Sequence, residues 1–140
     1  MPCLEITTPE LNSEIKKALA LKLTDSFAGA TRFPADIFGI HFNEYQQGNA
    51  ASGGNICDPD KGRPYIHFLL YTPRLLRAEK QKLVIALTAA YTEVLGKPEW
   101  KPVIHLCEHP YDNVGVNGQL LSDTYEELAE SEYYYNLPKG

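Results

Sequence analysis

The chain has 140 residues and a net charge of −5, which is enough for one compact domain and leaves no room for two full-sized ones. Hydrophobic residues make up 44% and charged residues 22%, a globular composition that argues against a disordered, collagen-like or coiled-coil chain. The net negative charge gives no basic patch for nucleic acid, so we expect no nucleic-acid partner. Neither a signal sequence nor an apolar run of roughly 18 residues is present, so we expect no membrane association and a cytoplasmic location.

Two copies of one unit make up most of the sequence, and this repeat determines the predicted architecture. Eleven of the 37 positions from 8 to 44 carry the same residue as the position 64 places later, without a gap. The two units cover about residues 2–45 and 66–109.

Each unit is predicted to form a strand, a helix and a second strand. The segments rich in β-forming residues are 3–7 and 37–45 in the first unit, and 65–71 and 103–108 in the second. Because a helix joins the two strands of a unit, we expect them to pair in parallel through a right-handed crossover.

The helices are predicted from an apolar residue at every fourth position, as from Leu11 to Phe27. Thr8-Pro9 and Thr72-Pro73 predict where the helices start, because threonine is a good N-cap and proline is tolerated at the first helical position. The apolar face of each helix must be buried against a sheet.

Two similar units usually pack about a pseudo-twofold axis, which makes their first strands antiparallel. The predicted fold class is therefore α+β: duplicated β-α-β units forming a four-stranded mixed sheet with two helices on one face. In this arrangement the start of the first strand lies beside the end of the third, where the chain enters the second helix.

Pro2 begins the first strand and is a candidate catalytic residue. Initiator Met is normally removed when the next residue is as small as proline, which would leave a secondary amine at the N-terminus. A free α-amino group titrates at about 7.7–8.0, and burial or a nearby cation lowers that value, so the amine could exchange protons at neutral pH. The alternative is that Pro2 affects N-terminal processing alone.

Arg74 and Arg77 stand three residues apart at the predicted start of the second helix. Unpaired backbone N–H groups and the helix dipole favour anions there, so a carboxylate could dock between the two guanidinium groups. The alternative is that both are solvated surface charges.

Other motifs are less informative. His105, Cys107 and His109 are a single cluster on alternate positions, which is not a standard tetrahedral ligand set, so we expect no metal. His41 and His105 match across the repeat, so a symmetric structural role is the simpler account of both. The glycine-rich segment 48–55 lacks the lysine of a phosphate loop and predicts a hairpin-like connection bordering the pocket.

An N-terminal proline after Met, a duplicated βαβ unit and the R-x-x-R segment after the third strand together resemble the tautomerase superfamily. Within it the chain resembles the cis-3-chloroacrylic acid dehalogenase-like branch. The loop QQGNAASGGN and the CEHP that closes the fourth strand agree with that branch in spacing. The resemblance implies a tautomerase-like domain over residues 1–120 and a homotrimer that needs no cofactor.

The resemblance also implies roles for individual residues. Pro2 would act as general base or general acid, and Arg74 and Arg77 would bind the carboxylate of the substrate. His105 stands where the dehalogenase has a tyrosine, so it is a further candidate for substrate binding.

Two departures from the dehalogenase pattern concern the activation of water. Phe27 replaces a histidine late in the first helix, and Val116 lies near the position of the water-activating glutamate. Hydrolytic dehalogenation is therefore not favoured.

A proline amine beside two arginines that bind a carboxylate is suited to proton transfer in an enol or α-keto acid. We therefore expect an isomerase that tautomerises a small unsaturated or α-keto carboxylate. The alternatives are a cofactor-free dehalogenase, hydratase or decarboxylase acting on a haloacrylate or β-keto acid, and a catalytically silent signalling or binding paralogue on the same scaffold.

Residues 121–140 form an acidic C-terminal extension that contains Tyr133, Tyr134 and Tyr135. Three adjacent aromatic residues rarely stay fully solvated, so we expect the extension to pack on the same or a neighbouring subunit. A solvated tail with incidental tyrosines is the alternative.

Overall fold

The computed structural model describes residues 2–124. Met1 and residues 125–140, which include the three tyrosines of the predicted extension, lie outside the described residues. In chain order the strands and helices are β1 (Cys3–Pro9), α1 (Ser13–Ala30), β2 (Gly39–Tyr45), β3 (Ala51–Ser52), β4 (Asn55–Ile56), β5 (His67–Thr72), α2 (Arg77–Leu95), β6 (Val103–Glu108), β7 (Gly115–Val116), β8 (Gln119–Leu120) and α3 (Leu121–Thr124).

The main sheet has four strands in the order β2-β1-β5-β6. Strand β1 pairs in parallel with β2, and β5 pairs in parallel with β6. The two central strands β1 and β5 are antiparallel. The predicted α+β fold with a four-stranded mixed sheet is confirmed.

The core lies between the sheet and the two long helices. Alternate residues of the central strands, such as Leu4 and Leu70, are fully buried, whereas their neighbours on the other face of the sheet are only partly buried. The helices contribute matching apolar positions, such as Leu19 and Leu83, which are also fully buried. Burying each of these side chains contributes about 1.5–3 kcal/mol to folding, so the core is the main source of stability.

The repeat is also visible in hydrogen bonds. The Glu44 carboxylate accepts one from the Leu11 backbone N–H at 2.7 Å and one from Lys16 Nζ at 2.8 Å. Glu108, 64 positions later, accepts the matching bond from the Leu75 backbone N–H at 2.9 Å. In each unit a carboxylate on the second strand thus ties down the chain that enters the helix.

The predicted helix starts are wrong by four residues. The N-cap of α1 is Asn12, whose Oδ1 accepts a backbone N–H at 2.9 Å, and Thr8 and Thr72 are buried residues at the ends of strands. Strand β1 continues through Pro9, which lies past the end of the antiparallel ladder with β5, where a missing amide hydrogen is tolerated. The two helices nevertheless start at equivalent positions of the repeat.

The strands differ from their predicted bounds at four ends. Residues 35–37 form a 3₁₀ turn, so the second strand starts at Gly39, and the third starts two residues later than predicted. The bounds of β6 are those predicted. The expected hairpin is formed by β3 and β4, whose turn needs the positive φ of Gly53 and Gly54.

Within residues 2–124, no helix has both the length and the apolar character that crossing a bilayer would require.

Candidate active site

The antiparallel register places Pro2 beside the second unit. Cys3 pairs with Tyr71, so Pro2 lies one step further along, level with Thr72. The Pro2 carbonyl accepts a hydrogen bond from the Gly39 backbone N–H at 3.1 Å, and the residue is buried. We use the name Pro2 end for the end of the sheet at which β1 starts and β5 ends. The predicted meeting of the first and third strands is confirmed.

Arg74 and Arg77 both lie at the Pro2 end, and both are exposed. Arg77 is the first residue of α2, whereas Arg74 lies in the connection between β5 and α2. The prediction that both arginines stand at the start of the helix is therefore wrong for Arg74, because the helix begins only at Arg77. Arg74 instead follows Thr72 by two residues, which keeps it next to the strand that pairs with β1.

A third arginine at the Pro2 end was missed by the sequence analysis. Arg32 follows α1, and its Nε and backbone N–H donate to Glu79 Oε2 at 3.1 and 2.9 Å, while its Nη2 lies 3.0 Å from Oε1. Glu79, which is 8% exposed, also accepts the Leu76 backbone N–H at 2.8 Å. This ion pair joins the end of α1 to the start of α2 and so holds the first turn of α2, which begins at Arg77, in place. Only the glutamate in the first turn of the helix gave a sequence signal, as a partial capping box.

Tyr71 and His109 form a second pair that was missed. Their rings are stacked, with centroids 5.5 Å apart and planes 16° apart, and the His109 backbone N–H donates to the Thr72 carbonyl at 2.9 Å. Strand alternation puts Tyr71 on the face of the sheet away from the helices, level with Cys3. The antiparallel pairing predicted for the first and third strands was the sequence signal that could have placed Tyr71 at this end of the sheet.

His105 is not brought together with Pro2 within one chain. It lies in the middle of β6 on the face away from the helices, and its Nδ1 is 2.6 Å from His67 Nε2. The position equivalent to His67 in the first unit is Cys3, so the explanation that both imidazoles of the repeat play one symmetric role fails. Burial, followed by the neighbouring His105, lowers the pKa of His67 below its ordinary value. No three His, Cys, Asp or Glu side chains within residues 2–124 are placed to hold a metal.

The opposite edge of the sheet, where β1 ends and β5 starts, is here called the Pro9 end. Strand β2 runs parallel to β1 and ends there, and the Tyr45 hydroxyl accepts the Tyr65 N–H at 2.8 Å and donates to the Tyr65 carbonyl at 2.7 Å. The glycine-rich segment 48–55 lies between these two tyrosines, so within one chain it follows the Pro9 end and does not border Pro2. A cavity of about 540 Å³ also opens here, and Trp100 is among its lining residues.

Ile66 occupies in the second unit the position that Pro2 has in the first. Its carbonyl accepts the Val103 backbone N–H at 3.1 Å, which matches the bond between Pro2 and Gly39. The nitrogen of Ile66, however, is part of a peptide bond and cannot act as an amine. The two ends of the sheet therefore share a backbone arrangement and differ in chemistry.

Comparisons with known proteins agree with this fold. A family model described as "Tautomerase enzyme" matches residues 64–124. None of the curated proteins compared with the sequence matches it. Among solved structures, a fused 4-OT wild-type asymmetric trimer is 23% identical, with a TM-score of 0.78 over 88% of this chain and 98% of its own.

Two further solved structures are similar over most of the chain. Pt0534 inactivated by 2-oxo-3-pentynoate is 22% identical, with a TM-score of 0.75 over 87% of this chain and 97% of its own. Macrophage migration inhibitory factor of Toxoplasma gondii is 17% identical, with a TM-score of 0.69 over 84% of this chain and 97% of its own. The chain has the tautomerase fold, and its residues 64–124 match the tautomerase family model; the dehalogenase-like branch is not confirmed.

Proposed function

We propose that the chain is an enzyme that uses the amine of Pro2 to move protons in a small unsaturated or α-keto carboxylate and so interconverts its enol and keto forms. The observation that carries the proposal is the register of β1 and β5, in which Pro2 lies level with Thr72 and beside the connection that holds Arg74. The fused 4-OT fold and the tautomerase family match support the same chemistry.

In the proposed mechanism, neutral Pro2 takes a proton from an enol hydroxyl or an acidic carbon and returns it elsewhere on the conjugated system. Arg74 and Arg77 bind the carboxylate and stabilise the negative charge that grows on the neighbouring oxygen. Pro2 is buried, and burial would disfavour the charged form of a free amine at this position. His105 is not needed within the chain that supplies Pro2, since it lies in mid-strand on the other face of the sheet.

An α-keto acid is the substrate class best supported. Pt0534, whose fold is similar, is inactivated by 2-oxo-3-pentynoate, an α-keto acid with an electrophilic triple bond. A neutral amine at the same end of the sheet as two arginines would react with such a compound for the same reason that it would accept a proton from an enol acid. We therefore propose that α-keto acids and their enols bind at the Pro2 end.

We also propose that the chain works as a homotrimer. Several similar structures are described as trimers. Within the described part of the chain, the edge strands β2 and β6 each have one partner in the main sheet, and apolar side chains such as Leu21 and Val103 are exposed. Light scattering should give three times the 15.7 kDa of one chain, and a monomer at working concentration would contradict the assembly.

The test of the proposed function starts with intact mass spectrometry, because a retained Met1 would turn the Pro2 nitrogen into an amide. Ketonisation of 2-hydroxymuconate and phenylenolpyruvate is then followed by ultraviolet absorbance for the wild type and Pro2→Ala. We expect the wild type to accelerate ketonisation and the variant to lose at least about 100-fold, as expected for the loss of a general base. Equal rates would exclude catalysis by Pro2.

A covalent probe gives an independent result. 2-Oxo-3-pentynoate should attach to Pro2, and peptide mapping separates an adduct on Pro2 from one on the adjacent thiol of Cys3. An adduct only on cysteine would contradict a reactive amine. Turnover of a haloacrylate without ketonisation would favour the dehalogenase alternative.

A further inference from the structure

The Thr72 hydroxyl is a buried polar group without a hydrogen bond. Its residue is 1% exposed, and no donor or acceptor within the described residues reaches Oγ1. Buried hydroxyls in folded proteins are nearly always hydrogen-bonded. An exception at the Pro2 end therefore points to a group that binds there.

The other unit shows how this hydroxyl would be satisfied in a purely structural role. Thr8, the equivalent threonine, lies with its Oγ1 2.5 Å from the Tyr91 hydroxyl. The position equivalent to Tyr91 in α1 is Phe27, which has no hydroxyl. Thr72 thus keeps the hydroxyl, but the helix of the first unit lacks the matching core partner.

Thr72 is flanked in the sheet by Glu108 on β6, with which it pairs, and by Pro2 at the start of β1. Pro2 and Thr72 lie one step beyond the pair of Cys3 and Tyr71, and both have the parity of the buried, helix-facing residues. Directly opposite residues of antiparallel strands have Cβ atoms about 4.5–5.5 Å apart, which brings the Thr72 side chain close to the Pro2 ring. Removal of Met1 gives the Pro2 nitrogen an N–H donor that no strand partner uses.

We propose that Thr72 is a positioning residue whose Oγ1 accepts a hydrogen bond from the imino group of Pro2. The proposal rests on the proposed function in one respect, which is that Pro2 carries a free amine. The pyrrolidine ring already fixes the nitrogen, so a bond to Thr72 leaves the remaining lone pair, or the second proton of the cation, directed towards the substrate. A hydrogen-bond acceptor also favours the cation, so under this proposal Thr72 raises the pKa of the amine above the value that burial alone would give.

The test is an NMR titration of isotope-labelled proline nitrogen in protein whose mass shows that Met1 has been removed. Thr72→Val keeps the shape and removes the hydroxyl, Thr72→Ser keeps the hydroxyl, and Thr8→Val is the matched control at the Pro9 end. We expect Thr72→Val to lower the pKa of Pro2 by about one unit, Thr72→Ser to restore it, and Thr8→Val to leave it unchanged. The acidic limb of the pH–rate profile should move by the same amount.

The outcomes separate this inference from the proposed function. An active wild type with the same Pro2 pKa in Thr72→Val overturns the role of Thr72 alone. If Thr72→Val lowers the pKa of Pro2 but the wild type ketonises none of the acids, the proposed function alone is overturned. A retained Met1 overturns both. If Thr72→Val does not fold, Thr72→Ala gives the same comparison without the added methyl group.

Discussion

His67 Nε2 lies 2.6 Å from His105 Nδ1 across the neighbouring strands β5 and β6, so one ring donates a hydrogen and the other accepts it. A doubly protonated pair has no acceptor. Burial and the neighbouring His105 lower the pKa of His67 below 6.5, so the folded protein binds fewer protons than the unfolded chain under mildly acidic conditions. We expect this contribution to the free energy of unfolding to be complete above pH 6.5 and to fall as the pH drops through the lower, folded pKa.

Urea denaturation at several pH values between about 5 and 7.5 measures this effect. The slope of stability against pH should be smaller in His67→Gln than in the wild type. His41→Gln is the control, since His41 is exposed and lies on an edge strand. The same slope in the wild type and His67→Gln would show that the pair does not titrate in this way.

Loss of either guanidinium group at the Pro2 end should weaken the binding of a carboxylate. Charge-assisted hydrogen bonds contribute about 1.5–3 kcal/mol, so we expect kcat/KM to fall about 10- to 100-fold in Arg74→Ala and in Arg77→Ala. Arg63→Ala is the control, because Arg63 is also exposed but lies in the segment at the Pro9 end. Unchanged kinetics in both site variants would show that the carboxylate docks elsewhere.

Replacement of Glu79 should destabilise the protein far more than replacement of another glutamate that also links the two helices. The side chains of Arg32 and Glu79 are 19% and 10% exposed, so Glu79→Ala leaves a largely buried positive charge and costs about 3 kcal/mol. Glu93→Ala removes an ion pair with Lys22 whose side chains are 46% and 61% exposed, which costs less than about 1 kcal/mol. Thermal unfolding measures both, and similar losses would mean that burial does not distinguish the pairs.

Tyr91→Phe should leave the Thr8 hydroxyl buried without a partner. We expect a loss of about 1–3 kcal/mol in the free energy of unfolding, part of which the double variant Tyr91→Phe/Thr8→Val recovers. Burial raises the pKa of Tyr91 to about 12, against an ordinary value of 10. The folded state therefore holds this proton longer, and the contribution of Tyr91 to stability should fall as the pH rises from about 10 to 12. A double variant no more stable than Tyr91→Phe would contradict this account.

The sequence allowed the fold to be predicted because its main signals are local. The repeat and the alternation of apolar residues determine the order and direction of the strands, and these place Pro2 beside the chain that enters α2. The helix starts were mispredicted because a threonine before a proline suits a strand end as well as a helix cap. Thr8 showed the competing signal, since it continues the alternation of Leu4 and Ile6 into the core.

The side-chain pairs of the site were harder to predict. Arg32 and Glu79 are 47 positions apart in the sequence and meet only because the end of α1 lies against the start of α2. His67 and His105 meet diagonally, since the register pairs His67 with Val103 and His105 with Leu69. Such pairs depend on strand register and side-chain direction, which periodicity alone does not determine.

The equivalence of Ile66 and Pro2 has a consequence for stoichiometry. Under the proposed function, the peptide bond at Ile66 excludes a second reactive amine, so each chain would carry no more than one modified imino nitrogen. Titration with a covalent inactivator should thus saturate at one equivalent per polypeptide on that nitrogen, however many subunits associate.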